Sequence, residues 1–135
     1  MIKILVITHG QLGTEIIQTA ETIVGKQEDV LTLTLSPEES LASLCQRTEE
    51  LLKAQATPEG ILIMTDMLGG TPCNACLPFC TVYTVEIVSG VNLYMLLSAF
   101  INRRQMSLEE LVRKVLHDGA KSVANAKALF LQKMQ

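Results

Sequence analysis

The chain has no apolar run of membrane-spanning length, so it offers no candidate for a spanning helix. It has no basic excess either. Lys and Arg total 11 against 14 Asp and Glu, a formal charge of −3, which gives no general attraction for nucleic acid or anionic lipid. Its start does not read as a leader, because Lys3 falls early in the first apolar run and no cleavage-like segment follows. A cytoplasmic protein is the expectation. Several catalytic signatures are missing too. The glycine loop at Gly69-Gly70 has no Lys-Ser or Lys-Thr after it, so it is not a nucleotide P-loop. No G-x-G-x-x-G follows the first strand, and no hydrolase G-x-S-x-G occurs. There is no internal repeat and no linker.

What remains is a chain of 135 residues, 48% hydrophobic and 19% charged. That length and composition suit one folded domain over residues 1–135 with one core. Residues 2–7, Ile-Lys-Ile-Leu-Val-Ile, read as a buried parallel strand, and 61–65 as a second. Residues 12–24 place Ile16, Ile17, Ala20, Ile23 and Val24 on one helical face, with Gly25 at the C-cap. Residues 30–35 alternate and predict a strand near a sheet edge. Ser36-Pro37-Glu38-Glu39 predicts the start of a helix reaching about residue 54, with Ser36 as N-cap and Glu39 closing a capping box. A short helix follows at about 72–79, a strand at 82–88, and a helix over about 92–101 begun at Asn92. Ser107 and Glu110 form a second capping box. The order βαβαβαβαα implies an α/β fold, a three-layer αβα sandwich around a mostly parallel sheet. The tail, residues 120–135, is compatible with a further helix or a short strand.

Four cysteines, Cys45, Cys73, Cys76 and Cys80, include a C-x-x-C pair. A redox pair would stand directly after a strand, and here Gly-Gly-Thr-Pro intervenes. A zinc site wants a fourth ligand, and Cys45 lies in another helical pattern. Cys76 and Cys80, one turn apart, read instead as small apolar residues packed on the sheet. The pattern calls for no metal and no cofactor.

The chemistry gathers at the carboxyl ends of two strands, the ligand-binding side of open α/β sheets. His9, one of two histidines, follows the first strand, and Asp66 follows 61–65. An imidazole beside a carboxylate suits phosphoryl transfer by a protein nucleophile. Asp66 would accept from Nδ1–H and leave Nε2 free to attack, as an orienting acid does beside a histidine base. Gly10, Gly69 and Gly70 allow close backbone approach, and Thr71 offers a hydroxyl where the next helix begins. His117 reads as a helix C-terminal residue, with Asp118-Gly119 closing that helix.

These residues carry a family resemblance. Ile7-Thr8-His9-Gly10, Thr65-Asp66-Met67-Leu68-Gly69-Gly70-Thr71-Pro72-Cys73-Asn74 and Val88-Ser89-Gly90-Val91-Asn92-Leu93 resemble the enzyme IIA domain of the mannose family of the bacterial phosphoenolpyruvate-dependent sugar phosphotransferase system. The resemblance covers nearly the whole chain. It implies that His9 takes a phosphoryl group on Nε2 from the histidine phosphocarrier protein, with Asp66 on Nδ1. Thr65 and Thr71 then match hydroxyl positions around that group. It implies transfer onward to a separate IIB component and so an indirect link to a membrane sugar permease. It further implies a homodimer exchanging a C-terminal strand, which would make the tail an antiparallel edge strand on the partner. The chain departs from many relatives at Tyr94, where they carry proline, and in its Cys73/Cys76/Cys80 set. Two other readings retain His9 and Asp66: a regulatory module reporting its phosphorylation state, and a phosphoryl donor subunit for dihydroxyacetone kinase. Met67, Leu68 and Tyr94 are candidates for a docking patch.

Overall fold

The computed structural model describes residues 1–135. Its strands are β1 (Lys3–His9), β2 (Val30–Leu35), β3 (Ile61–Thr65) and β4 (Val85–Val88). Its helices are α1 (Leu12–Val24), α2 (Leu41–Gln55), α3 (Thr71–Cys76), α4 (Leu93–Asn102), α5 (Leu108–Lys121) and α6 (Ala126–Lys133), with a 3-10 turn at Leu77–Phe79. All strand pairs are parallel, in the order β2-β1-β3-β4. The two central strands are the two unbroken apolar runs, as burial on both faces demands; every residue of β3 is buried. Strand alternation sorts their side chains. Ile4, Val6, Leu62 and Met64 pack with Ala20 of α1, Leu96 and Phe100 of α4, and Leu111 and Val115 of α5. Leu5, Ile7, Ile61 and Ile63 pack with Leu44 and Leu52 of α2 and Ala75 and Cys76 of α3. Each Leu, Ile, Val, Met or Phe side chain among them, fully buried, contributes about 1.5–3 kcal/mol. The outcome is the expected αβα sandwich. No helix is long and apolar enough to cross a membrane.

Several local boundaries differ from the sequence expectation. α2 starts at Leu41 with Ser40 as N-cap, its Oγ accepting from the Ser43 amide at 3.1 Å. Ser36 instead closes a turn, its carbonyl accepting from the Glu39 amide. Glu39 lies before the helix and not inside its first turn; Arg47 donates to both its carboxylate oxygens at 2.9 Å, and the Ser43 hydroxyl donates to Oε2 at 2.9 Å. β4 is shorter than 82–88. The carbonyl of Phe79 accepts from the amides of both Val82 and Tyr83, which turns the chain before Val85. α5 opens with the expected Ser107–Glu110 capping box but continues past Asp118-Gly119 to Lys121. Gly119 therefore lies inside the last turn of α5, where an added Cβ would stand 2.4 Å from Cγ of Met95. The tail forms α6, capped by Asn125 through the Ala128 amide, and buries none of its residues.

At the amino edge of the sheet, Arg103 lies 1% exposed and donates to the carbonyls of Ile2, Glu28 and Asp29 and to Oε1 of Gln27. This planar fork ties the end of α4 to the starts of β1 and β2.

Candidate functional site

Parallel pairing puts the ends of β1 and β3 side by side, with Ile7 opposite Thr65. β1 runs on two residues further, so His9 is the last residue of its strand and reaches Asp66 just past the end of β3. The amide of His9 donates to Oδ2 of Asp66 at 3.0 Å. Nδ1 of the same histidine lies 2.7 Å from the same oxygen. Oδ1 accepts from the Met67 amide at 3.1 Å. Partial burial pushes the Asp66 carboxyl up, but the bonds from the His9 amide and ring, with the His9 charge, outweigh it and hold it below its ordinary value. An ionised carboxylate has no proton to give, so Nδ1 must carry the hydrogen. In the neutral form of such a ring, Nε2 keeps its lone pair. The ring side chain is 49% exposed and that of Asp66 only 11%, which puts the imidazole in front and the carboxylate behind it.

The surrounding loops come close. Gly10 and Gly69 have φ of 52° and 81°, a backbone region that favours glycine. A Cβ on Gly70 would meet Cε1 of His9 at 3.3 Å and Cγ of Met67 at 2.9 Å, so the bare α-carbon lets the loop lie against the imidazole. Thr71 is half-buried at the first position of α3, after Gly70. Thr65 is placed differently. It is fully buried, and its hydroxyl donates to the Val88 carbonyl at 3.4 Å, joining β3 to β4 below the surface. Met67, Leu68 and Tyr94 are exposed. His117 lies exposed on α5 with no hydrogen-bond partner.

The cysteines divide. Cys73 and Cys76 are buried, Cys45 is half-buried and Cys80 is exposed, all as free thiols. Packing accounts for Cys76, whose Sγ donates to the Cys73 carbonyl at 3.1 Å; Cys80 faces solvent and does not pack on the sheet. Burial, with the neighbouring Cys73 next, pushes the Cys76 thiol up to about 12.

Against known families, the model described as PTS system fructose IIA component matches residues 3–116. The chain belongs to this family, EIIA-man. It is 31% identical over 134 residues to the PTS system mannose-specific EIIAB component of Escherichia coli K12, which covers 98% of this chain and 42% of that relative. The chain thus spans less than half the length of that protein. Among solved structures, the phosphotransferase system component EIIA of Streptococcus agalactiae superposes with a TM-score of 0.86 at 29% identity, over 95% of this chain and 99% of that one. The PTS IIA protein associated with the fucose utilization operon of Streptococcus pneumoniae gives a TM-score of 0.76 at 30% identity, covering 95% of each chain. In this EIIA-man chain, reading the sequence missed Thr8 and Gly13, which tie β1 to α1 beside the site. A glycine as the second residue of a helix, where it weakens the helix, was the available signal.

Proposed function

We propose that this IIA domain, residues 1–135, carries a phosphoryl group on Nε2 of His9, accepts it from a histidine phosphocarrier protein and passes it to a separate IIB component that serves a membrane sugar permease. The 2.7 Å contact between Nδ1 of His9 and Asp66 supports this reading most directly. It orients the ring and leaves Nε2 outward. In the forward step Nε2 attacks phosphorus on the donor's phosphohistidine. The new N–P bond forms as the old one breaks, and the bonding pair returns to the donor imidazole. Positive charge grows on the His9 ring, and the Asp66 carboxylate stabilises it. The Gly69 and Gly70 backbone and the Thr71 hydroxyl serve the phosphoryl oxygens. Thr65 supports them from beneath. The second transfer runs the same chemistry with the IIB component as acceptor, in the cytoplasm.

The same reading makes the protein a homodimer joined by its tail. Val123, Leu129, Phe130 and Met134 are exposed, and β4 leaves one edge of the sheet unpaired. Exchange would lay the tail along the partner's β4 edge, satisfying its free amides and carbonyls. The eight residues of α6 are too few for a stable isolated helix, so unwinding them costs little.

The test is incubation with phosphoenolpyruvate, enzyme I and the phosphocarrier, followed by mapping of the label. The expected product is an acid-labile, base-stable phosphate on His9. Label that survives His9→Ala, or that maps to His117, refutes the assignment.

A further inference from the structure

α1 begins without a cap of its own: Gln11 stands at its N-cap position and makes no side-chain cap bond. The first amides of a helix have no partner inside it, and a buried one needs a partner from elsewhere. The buried Gly13 amide is satisfied from the preceding strand. It donates to Oγ1 of Thr8 at 2.8 Å, five residues back, and Thr8 is fully buried. This bond closes a ring around His9, Gly10, Gln11 and Leu12. On the far side of the histidine, the Gly10 amide donates to the Leu35 carbonyl at 2.9 Å. Three consecutive residues are therefore tied to three different neighbours: Thr8 to α1, His9 to Asp66, and Gly10 to β2.

Gly13 makes the Thr8 bond possible. A Cβ at that position would come within 3.1 Å of Oγ1 of Thr8, 3.2 Å of Oγ1 of Thr32 and 3.2 Å of Cγ1 of Val6. Its absence lets the first turn of α1 approach the strands closely enough for the amide to reach the hydroxyl.

We propose that Thr8 is a positioning residue for phosphoryl transfer, holding the His9 loop in register through its buried bond to the Gly13 amide. The proposal rests on His9 as the phosphoryl-bearing residue. Thr8 touches neither the ring nor an incoming group. It fixes where β1 ends relative to α1, and hence where the imidazole stands relative to Oδ2 of Asp66. Valine has nearly the same shape but offers that amide no acceptor, so Thr8→Val forces the first turn of α1 away from the strand and carries the histidine loop with it. Small misplacements of reacting groups are expensive in rate, on the order of 100-fold for about 1 Å.

The experiment compares Thr8→Val with Thr8→Ser in two measurements. One is the rate of phosphoryl uptake as the phosphorylated donor is varied. The other is the tautomer of His9, from the nitrogen chemical shifts of its ring. Thr8→Ser keeps the acceptor and is expected within about 2-fold of the wild type, with Nδ1–H retained. Thr8→Val is expected to slow transfer by about 10-fold or more at unchanged KM and to give a mixture of His9 tautomers. Thr8→Val with wild-type rate and tautomer overturns the proposal, and so does a Thr8→Ser loss equal to that of valine. Should Thr8→Val not fold, hydrogen exchange at the Gly13 amide decides. Slow exchange in both the wild type and Thr8→Ser supports the bond, and fast exchange in the wild type overturns it. A wild-type protein that takes up no phosphoryl group ends the carrier reading, while the tautomer comparison still decides the role of Thr8.

Discussion

One oxygen of Asp66, Oδ2, accepts from both the peptide nitrogen and the ring nitrogen of His9, at 3.0 and 2.7 Å. Backbone and side chain of the histidine are thus set by one atom, and the ring cannot rotate away without losing its partner. The Met67 amide on Oδ1 holds the carboxylate against rotation as well.

Asp66→Asn is expected to keep the fold and slow transfer by about 100-fold or more, the usual order for loss of a preorganised electrostatic group. An asparagine has one acceptor oxygen, so its NH2 group must face a donor or solvent. Rapid-quench transfer in both directions measures the effect, and unchanged rates remove Asp66 from the mechanism. The pair also has a pH signature. The folded Asp66 carboxyl sits below its ordinary 3.8. Its stabilising contribution is therefore complete above the unfolded value and disappears as pH falls through the lower folded one. Urea titrations should show a stability gap between wild type and Asp66→Asn that is full at neutral pH and closes only below about 3.8.

Gly119→Ala sets two effects against each other. Alanine gains about 1 kcal/mol of helix propensity over glycine. The new methyl, however, meets Cγ of Met95 at 2.4 Å and its Sδ at 3.0 Å, and overpacking costs about 1–3 kcal/mol. Met95 is itself buried, so packing wins. The expected result is a loss of about 1 kcal/mol in chemical denaturation with phosphoryl transfer unchanged; a stabilised variant contradicts it.

The cysteines should separate by reactivity. The exposed Cys80 is expected to react first with iodoacetamide in the native protein. Cys76, buried and with its thiol raised to about 12, should react only on unfolding, since the thiolate is the nucleophile. Peptide mapping by mass spectrometry reads the order, and native modification of Cys76 ahead of Cys80 reverses the assignment.

Sedimentation tests the role of the tail. The intact chain is expected to be dimeric at micromolar concentration, and a chain ending at Ser122 monomeric. That end point keeps α5 whole, including the Ser122 hydroxyl bond to the Gly119 carbonyl at 2.6 Å. A truncated protein that stays equally dimeric shows that other surfaces hold the subunits.

The parts read most easily from the sequence were those governed by short-range rules. β1 and β3 announce themselves as unbroken apolar runs, Ser107 and Glu110 as a capping box, and His9 and Asp66 as polar residues at strand ends. The errors came where a distant residue outbid a local one. Glu39 looked like a capping-box acid, but it lies before α2 and pairs with Arg47. Gly119 looked like a helix stop, but Met95 requires a bare α-carbon there. The buried bond of the Thr65 hydroxyl to the Val88 carbonyl, 23 residues on, had no local sign. Arg103 gave no local sign at all, because its partners lie 74 to 101 residues away in the chain.

That arginine separates two tasks by position. It joins the starts of β1 and β2 to the end of α4 at one rim of the sheet, while His9 and Asp66 stand at the other. A loop at the His9–Asp66 rim can be lengthened, recharged or reshaped for a new protein partner without touching the buried guanidinium. Conversely, Arg103→Lys keeps a positive charge but loses the planar fork that reaches several carbonyls at once. The molecule has, in effect, a fixed base and a separate loop-borne face, so substitutions that cost the fold and substitutions that reshape the His9–Asp66 rim fall on different residues.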